Sequence, residues 1–351
     1  MKTLSTFLLF IFFLAKAKGQ QCIPPSNLSY KKQIRYCRID SNRTRNYTFL
    51  QQTLNYSALS YACPPTLDLG SPKKWYILSA DIIPEFVIGG RRMPVPIHLT
   101  ARYKVRILHN NIKDGDTSLP VRTPSFMPGV TLYFPLKYMN DKTKRIYYFS
   151  LSGFHHSNGQ DGIEFKANGK VNTYNGNFST NYIEPAFHFR NRKYLPGIPK
   201  CEDSLEKYRD IYARIGYEHH IGTAKALRSS YGDHRFNLSL GWLIVNSYCD
   251  KIFRKQVDES YYREKYRVVL NTTLIEGARD KGMSAFEKRI NVDLNYYWRI
   301  PYSPNTSFFV TAGYYGSDTY NIFYQDSYFF ARAGIALGFF VAPKLVGFKR
   351  E

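Results

Sequence analysis

The feature that most constrains the fold is an alternation of apolar and polar residues, repeated along most of the chain. From Ile97 to Ile107, six apolar residues alternate with histidine, threonine, arginine and lysine. Successive side chains of a β-strand point to opposite faces of the sheet, so a period of two predicts a strand with one apolar face. Eleven such segments occur, near residues 75–86, 97–107, 130–138, 145–157, 183–190, 210–217, 235–244, 266–271, 290–299, 307–315 and 327–341.

The length of these segments distinguishes two fold classes that share the same local alternation. A soluble sandwich buries its apolar face, whereas a membrane barrel turns that face to lipid. Soluble strands usually have about 5–6 residues and a tilted membrane strand needs about 9–11; most of the segments run for roughly 9 to 15. The predicted fold class is therefore all-β, a transmembrane antiparallel barrel. Because such barrels usually have an even number of strands, we predict twelve, the twelfth within residues 40–65, where the run from Tyr47 to Leu50 is a candidate.

The N-terminus predicts export. Lys2 precedes an apolar run from Leu8 to Leu14, and Ala17-Lys18-Gly19 offers a small-x-small cleavage site. We therefore divide the chain into a signal peptide (1–19), a partly irregular N-terminal segment that has room for the first strand (20–70) and the barrel (71–351). No later run of about 18 apolar residues occurs, which excludes a helical membrane protein. The five cysteines allow pairing among the first three, although the count is odd.

The charge balance predicts an anionic partner. Lysine and arginine number 49 against 27 aspartate and glutamate, a formal net charge of +22. Nucleic acid and an anionic lipid surface both fit such a balance. Because an exported barrel meets lipid, we expect the outer membrane as partner and no nucleic acid.

The candidate catalytic residues lie at the end of the segment that begins at Arg145. Its apolar face carries His155 and then Ser157, before Asn158-Gly159 turns the chain. A serine hydroxyl is a poor nucleophile until a base removes its proton, and a histidine two residues away on the same face can do so. Such a base needs a third group to orient it. The next strand offers Asn177, Ser179 and Asn181 on the matching face, and an asparagine can accept from imidazole without placing a charge beside lipid.

The motif His155-His156-Ser157-Asn158-Gly159 resembles the His-x-Ser-Asn-Gly motif of the outer-membrane phospholipase A family of bacteria. The resemblance covers roughly residues 95–190, and Thr123-Pro124-Ser125-Phe126 is similar to a proline-containing loop of that family. It implies a twelve-stranded barrel in the bacterial outer membrane that hydrolyses the acyl esters of phospholipids. It also implies that Ser157 is the nucleophile and His155 the base, with Asn181 as orienter and Asn177 as runner-up.

The resemblance further implies a calcium ion (Ca2+) that stabilises the oxyanion, and a homodimer as the active state. The calcium ligands would be the carbonyl of Gln160 and the side-chain oxygen of Asn177 or Ser179, with Ser125 or Thr123 contributed across the dimer. The backbone N–H groups of Ser157 and Gly159 would complete the oxyanion site. The chain departs from the family pattern in the loop between Gly159 and Asn177, which is longer here.

Other interpretations stay open at this point. The His-His-Ser-Asn-Gly run is also compatible with an ordinary polar loop, and Glu218-His219-His220 resembles a metal-binding fragment, although it ends a strand. For the whole chain, a non-enzymatic outer-membrane pore with a charged lumen and a structural or adhesive barrel are the alternatives to a serine hydrolase.

Overall fold

The structure is a computed structural model. It describes residues 29, 60–63, 67–69, 76–88, 95–108, 124–137, 145–158, 165, 167–169, 178–194, 208–245, 264–300, 306–337 and 340–341. The predicted signal peptide and the Tyr47–Leu50 candidate lie outside these residues.

The described residues form one sheet of β-strands joined at one end by short 3-10 turns. The strands are β1 (Ser60–Cys63), β2 (Leu67–Leu69), β3 (Tyr76–Ile82), β4 (Glu85–Ile88), β5 (Ile97–Leu108), β6 (Ser125–Lys137), β7 (Arg145–Ser157), β8 (Ser179–Tyr194), β9 (Tyr208–Ile221), β10 (His234–Val245), β11 (Glu264–Glu276), β12 (Ile290–Arg299), β13 (Thr306–Tyr315), β14 (Tyr328–Leu337) and β15 (Phe340–Val341). The 3-10 turns are Lys225–Leu227, Lys281–Met283, Phe286–Arg289 and Asn321–Phe323.

The sheet closes on itself as a twelve-stranded antiparallel barrel. Strands β5 to β14 pair in chain order, β14 pairs with β1, β1 with β3, and β3 with β5. The short strands β2 and β4 pair with β14 and β5 beside β1 and β3, and β15 pairs in parallel with β4. The prediction of an all-β barrel of twelve strands is confirmed. The strand that completes it is β1, which lies in the predicted interval.

The outer wall is apolar and the interior is polar, the reverse of a soluble protein. Large apolar side chains are exposed on almost every strand, including Phe187, Ile215, Trp242, Leu294 and Val310. The alternate positions are buried and carry arginine, aspartate, glutamate, histidine, serine and threonine. Soluble proteins rarely expose apolar side chains over so continuous a surface. The wall therefore faces lipid, and the barrel spans a membrane. None of the helices among the described residues is long and apolar enough to cross a bilayer.

Paired charges fill the barrel interior. Arg190 and Arg192 both bond to Asp210, and the Arg106 guanidinium makes a two-pronged contact with Asp318, at 2.8 and 2.9 Å. Arg106 and Asp318 are 212 positions apart in sequence, and their contact joins β5 to the β13–β14 loop. A remaining cavity of about 560 Å³ is lined by six acidic and six basic side chains among others. Buried ions need partners, and the interior supplies them.

Four loops meet at one end of the barrel, which we call the site rim because β7 ends there. Their apolar side chains form a single cluster, the rim cluster, made of Phe178, Leu227, Tyr231, Met283 and Tyr324. Phe178, Tyr231 and Tyr324 also line the interior cavity. The cluster therefore lies at the rim end of the cavity. Burial raises the pKa of Tyr231, which lies in the β9–β10 loop, to about 12.

Candidate active site

Along strand β7, side chains that face the interior alternate with side chains that face outward up to the last residue. Ile146, Tyr148 and Ser150 are buried toward the interior, whereas Leu151 is exposed on the outer wall. His156 is buried on the inner face, with its ring 4.5 Å from that of Phe178. His155 and Ser157, on the alternate positions, are partly exposed. The two candidate catalytic residues thus lie on the lipid-facing side of the rim.

The neighbouring strand brings Asn181 against His155. The two residues are direct partners in the β7–β8 register, and Nδ1 of His155 lies 2.8 Å from Oδ1 of Asn181. Cross-strand partners on one face have Cβ atoms about 4.5–5.5 Å apart, so the antiparallel register alone sets up this contact. The runner-up orienter, Asn177, lies outside the described residues.

This contact fixes which nitrogen of His155 carries the proton. An amide oxygen can only accept a hydrogen bond, so Nδ1 of His155 is the donor. In the neutral ring the other nitrogen, Nε2, then has its lone pair available. A histidine held in this tautomer is ready to accept a proton from a hydroxyl group. With the Asn181 contact in place, His155 has the tautomer that a general base requires.

Ser157 lies two positions beyond His155 on the same outer face. Its partner on β8 is Ser179 and its partner on β6 is Phe126. Residues two apart on a strand have Cα atoms about 6.6 Å apart, because each residue advances the strand by about 3.3 Å. An imidazole side chain can bridge that separation. The position of Ser157 is compatible with attack on a group that lies against the outer wall.

Two contacts that sequence reasoning missed hold the ends of β7 and β8 together. The backbone N–H of Asn158 donates to the carbonyl of Phe178, and the backbone N–H of Phe178 donates to Oδ1 of Asn158, both at 3.1 Å. Asn158 is buried. Asn158 therefore holds the end of β7 to the start of β8, directly beyond the Ser157–Ser179 pair. The sequence motif includes Asn158, but nothing in the sequence indicates that Asn158 pairs with Phe178.

The β9–β10 loop supports the same corner from the other side. The backbone N–H of Ala224 donates to the carbonyl of Ser179 at 2.8 Å. Thr180, on the inner face, bonds to His220 at 3.0 Å and to Thr223 at 3.2 Å. Gly222 has a positive φ of 64°, and a Cβ there would lie 3.4 Å from the amide nitrogen of Asn181. These contacts restrain β8 at Ser179 and Thr180, directly before Asn181.

The candidate calcium ligands divide into three groups. Ser179 lies on the outer face opposite Ser157. Ser125 is fully buried, on the inner face of β6 next to the exposed Phe126. Its hydroxyl thus points away from the outer wall, and the geometry does not bring it to the outward-facing site. Gln160 and Asn177 lie outside the described residues, as does Gly159. Among the described residues no group of three His, Cys, Asp or Glu side chains is placed to hold a metal ion, and this includes the Glu218-His219-His220 fragment.

Comparison with known proteins gives little beyond this geometry. No family model matches the chain, and none of the curated proteins matches it. Among solved structures, the chain is similar to outer membrane phospholipase A from Escherichia coli, at 12% sequence identity and a TM-score of 0.45. That match covers 80% of this chain and 88% of the other. Function is therefore inferred from the residues of the β7–β8 corner.

Proposed function

We propose that this protein is a serine hydrolase of the bacterial outer membrane that cleaves the acyl ester bonds of phospholipids. The observation that supports it best is the 2.8 Å contact between His155 and Asn181 on the lipid-facing wall. A polar pair costs free energy where the surroundings are apolar. A catalytic role, with Ser157 as nucleophile, His155 as base and Asn181 as its orienter, explains why such a pair lies on the outer surface.

The first chemical step uses the free nitrogen of His155. Nε2 takes the proton from Ser157 as the Ser157 oxygen attacks the ester carbonyl. The resulting imidazolium keeps its Nδ1–H bond to Asn181, which orients the ring throughout. His155 then gives the proton to the departing oxygen of the lysophospholipid, leaving an acyl group on Ser157. Water, activated by the same nitrogen, hydrolyses that acyl-enzyme and restores the serine.

The wall beside the site suits the fatty acyl chain of the substrate. Leu151, Phe126, Val130 and Ile183 are exposed there. Val130 and Ile183 are the two cross-strand partners of Gly153, and a Cβ on Gly153 would meet no atom within 4 Å. The site is thus flanked by apolar side chains with a shallow notch between them. Burial of the chain's methylene groups on such a surface is favourable by about 0.8 kcal/mol each.

Calcium and a second subunit belong to the same proposal. The hydroxyl of Ser179 is the described ligand candidate that fits, since it faces outward beside Ser157; Ser125 does not fit. A bound calcium ion would offset the negative charge that develops on the ester oxygen, alongside the backbone N–H groups of Ser157 and Gly159. A homodimer would cover the lipid-facing site and enclose the acyl chain.

A pore is the weaker candidate function. The rim cluster packs side chains from four loops at one end of the barrel, and several of the charges in the interior are paired with one another. Both features oppose the passage of solutes through this end.

The experiment that tests the proposal is phospholipid hydrolysis by the detergent-solubilised barrel. Ser157→Ala should lose activity by orders of magnitude while the barrel stays folded. Ser307→Ala, on strand β13 away from the site, is the matched control and should keep full activity. Near-normal hydrolysis by Ser157→Ala would reject the proposal.

A further inference from the structure

The β11–β12 loop, residues 277–289, has an unusual concentration of cations at the site rim. Its thirteen residues include four basic ones, Arg279, Lys281, Lys288 and Arg289. They include only two acidic ones, Asp280 and Glu287. Two 3-10 turns shape the loop, and Met283 anchors it in the rim cluster. Phe286 projects outward and is 70% exposed. The loop is therefore held firmly to the barrel and presents charge and one large apolar side chain to its surroundings.

Within this loop, Arg279 lacks the partners that its neighbours have. All three of its guanidinium nitrogens are buried, and none has a hydrogen-bond partner among the described residues. By contrast, Arg289 donates to the carbonyls of Ser284 and Ile275, and Arg235 lies 3.2 Å from Glu218. A buried charged group without acceptors is costly, so the position of Arg279 calls for an anion.

The charges around Arg279 have the same sign. Burial, followed by the repulsion of Arg235 and Arg289, lowers the pKa of Arg279 to about 10. At neutral pH the guanidinium is still charged. Arg279 thus has two other guanidinium groups near it, and the two further side chains with a notable effect on it are the phenols of Tyr324 and Tyr231. A bound anion would relieve the repulsion among the three cations as well as supply the acceptors.

We propose that Arg279, with Arg289 beside it, binds the phosphate group of an anionic ligand at the site rim. A guanidinium presents paired N–H donors that match the oxygens of a phosphate. Two sources share this chemistry: the headgroup of a lipid in the surrounding leaflet, and free inorganic phosphate. The exposed Phe286 in the same loop favours the lipid, because aromatic side chains gather at the membrane interface of such barrels. This site is separate from the β7–β8 corner, and the inference does not depend on the proposed hydrolysis.

The test measures binding to the full chain in an uncharged detergent, in the Ser157→Ala background so that no lipid is consumed. One arm adds inorganic phosphate, with sodium chloride at the same ionic strength as its reference. The other adds phosphatidylglycerol to the micelles, with diacylglycerol as its reference. In each arm the rise in melting temperature with ligand concentration gives the apparent Kd.

Arg279→Gln should weaken binding about tenfold or more, as expected for the loss of a charge-assisted contact. Arg228→Gln is the control: it removes the same charge from the exposed surface of the neighbouring loop and should bind like the parent. A response to phosphatidylglycerol alone identifies a lipid headgroup, and a response to both ligands identifies a general phosphate site.

Equal affinity of Arg279→Gln and the parent in both arms would overturn the inference, as would no response of the parent to either ligand. If Arg279→Gln melts lower without ligand, Arg279→Lys replaces it, since lysine keeps the charge but loses the paired donors. Weaker binding by Arg279→Lys than by the parent then supports the site, and equal binding overturns it.

Discussion

The replacement Asn181→Ala probes the most specific feature of the proposed site. It removes the acceptor that lies 2.8 Å from Nδ1 of His155. When His155 takes the serine proton it becomes an imidazolium, and a hydrogen bond to a charged partner is worth about 1.5–3 kcal/mol. Since each 1.36 kcal/mol corresponds to a factor of ten in rate, we expect kcat to fall about 10- to 150-fold.

The assay is hydrolysis of a phospholipid in mixed micelles, with kcat and KM measured separately. The contact strengthens as the proton moves to His155, so the loss should appear in kcat and leave KM nearly unchanged. Asn181→Asp keeps an acceptor and should lose less, although it places a charge on the lipid-facing wall. Asn191→Ala is the control, on the same face of β8 at the far end of the strand, and should retain full activity.

A coupled test separates orientation from a general loss of structure. If Asn181 acts through His155, then Asn181→Ala should cost nothing further in a His155→Ala background. Unchanged kcat in the single variant Asn181→Ala, with the barrel folded, would refute this role. A full additional loss in the double variant would show that Asn181 acts by some other route.

Three further predictions concern the stability of the barrel and the proposed calcium ion. Gly334→Ala should destabilise the folded barrel by about 1–3 kcal/mol in urea unfolding, because the new Cβ would lie 2.3 Å from the carbonyl oxygen of Ala62 in the closing β1–β14 pair; Gly282→Ala, whose Cβ meets nothing within 4 Å, should be neutral. Asp318→Ala should cost about 3–5 kcal/mol by removing the carboxylate partner of buried Arg106, and a variant that replaces both members by leucine should recover most of that loss. Chelation with EDTA should abolish hydrolysis and added calcium should restore it, and crosslinking should find the active fraction as a dimer; full activity in excess EDTA or in a proven monomer would contradict the corresponding part of the proposal.

The barrel could be predicted from the sequence because its wall is set by a local pattern. Each long strand repeats the alternation that lipid on one side and a polar interior on the other require. The closing strand was harder, since Ser60–Cys63 has four residues and too little sequence to show a period. Its place was inferred only from the even strand number. Cys63, predicted as a candidate for pairing, is buried, and its thiol donates to the carbonyl of Ser79 at 3.6 Å; the other four cysteines lie outside the described residues.

The local parts of the site were also accessible to sequence reasoning. His155 and Ser157 share a face by parity alone, and their exposure on the outer wall follows from the strand they end. The partner of His155 depends on the β7–β8 register, which the sequence does not contain. A shift of one residue would have turned Asn181 inward.

The remaining parts depend on contacts between distant segments. Ser125 was expected to be a calcium ligand across the dimer, but β6 begins at this residue with Phe126 turned outward, so parity directs the Ser125 hydroxyl into the barrel. The rim cluster gathers side chains from positions 178 to 324, and none of them carries a local signal of that role. Likewise, only the folded structure reveals that Arg279 has neighbours of its own charge.

The most direct test of the central claim is covalent labelling of the folded barrel by a sulfonyl fluoride, followed by peptide mass spectrometry. An activated serine reacts where ordinary serines do not, because it has a base to take its proton. We expect a single modified residue, Ser157, with labelling lost in His155→Ala and slowed in Asn181→Ala to the same degree as hydrolysis. Labelling at another serine, or equal labelling of Ser157 in the His155→Ala variant, would contradict the assignment of Ser157 and His155 as nucleophile and base.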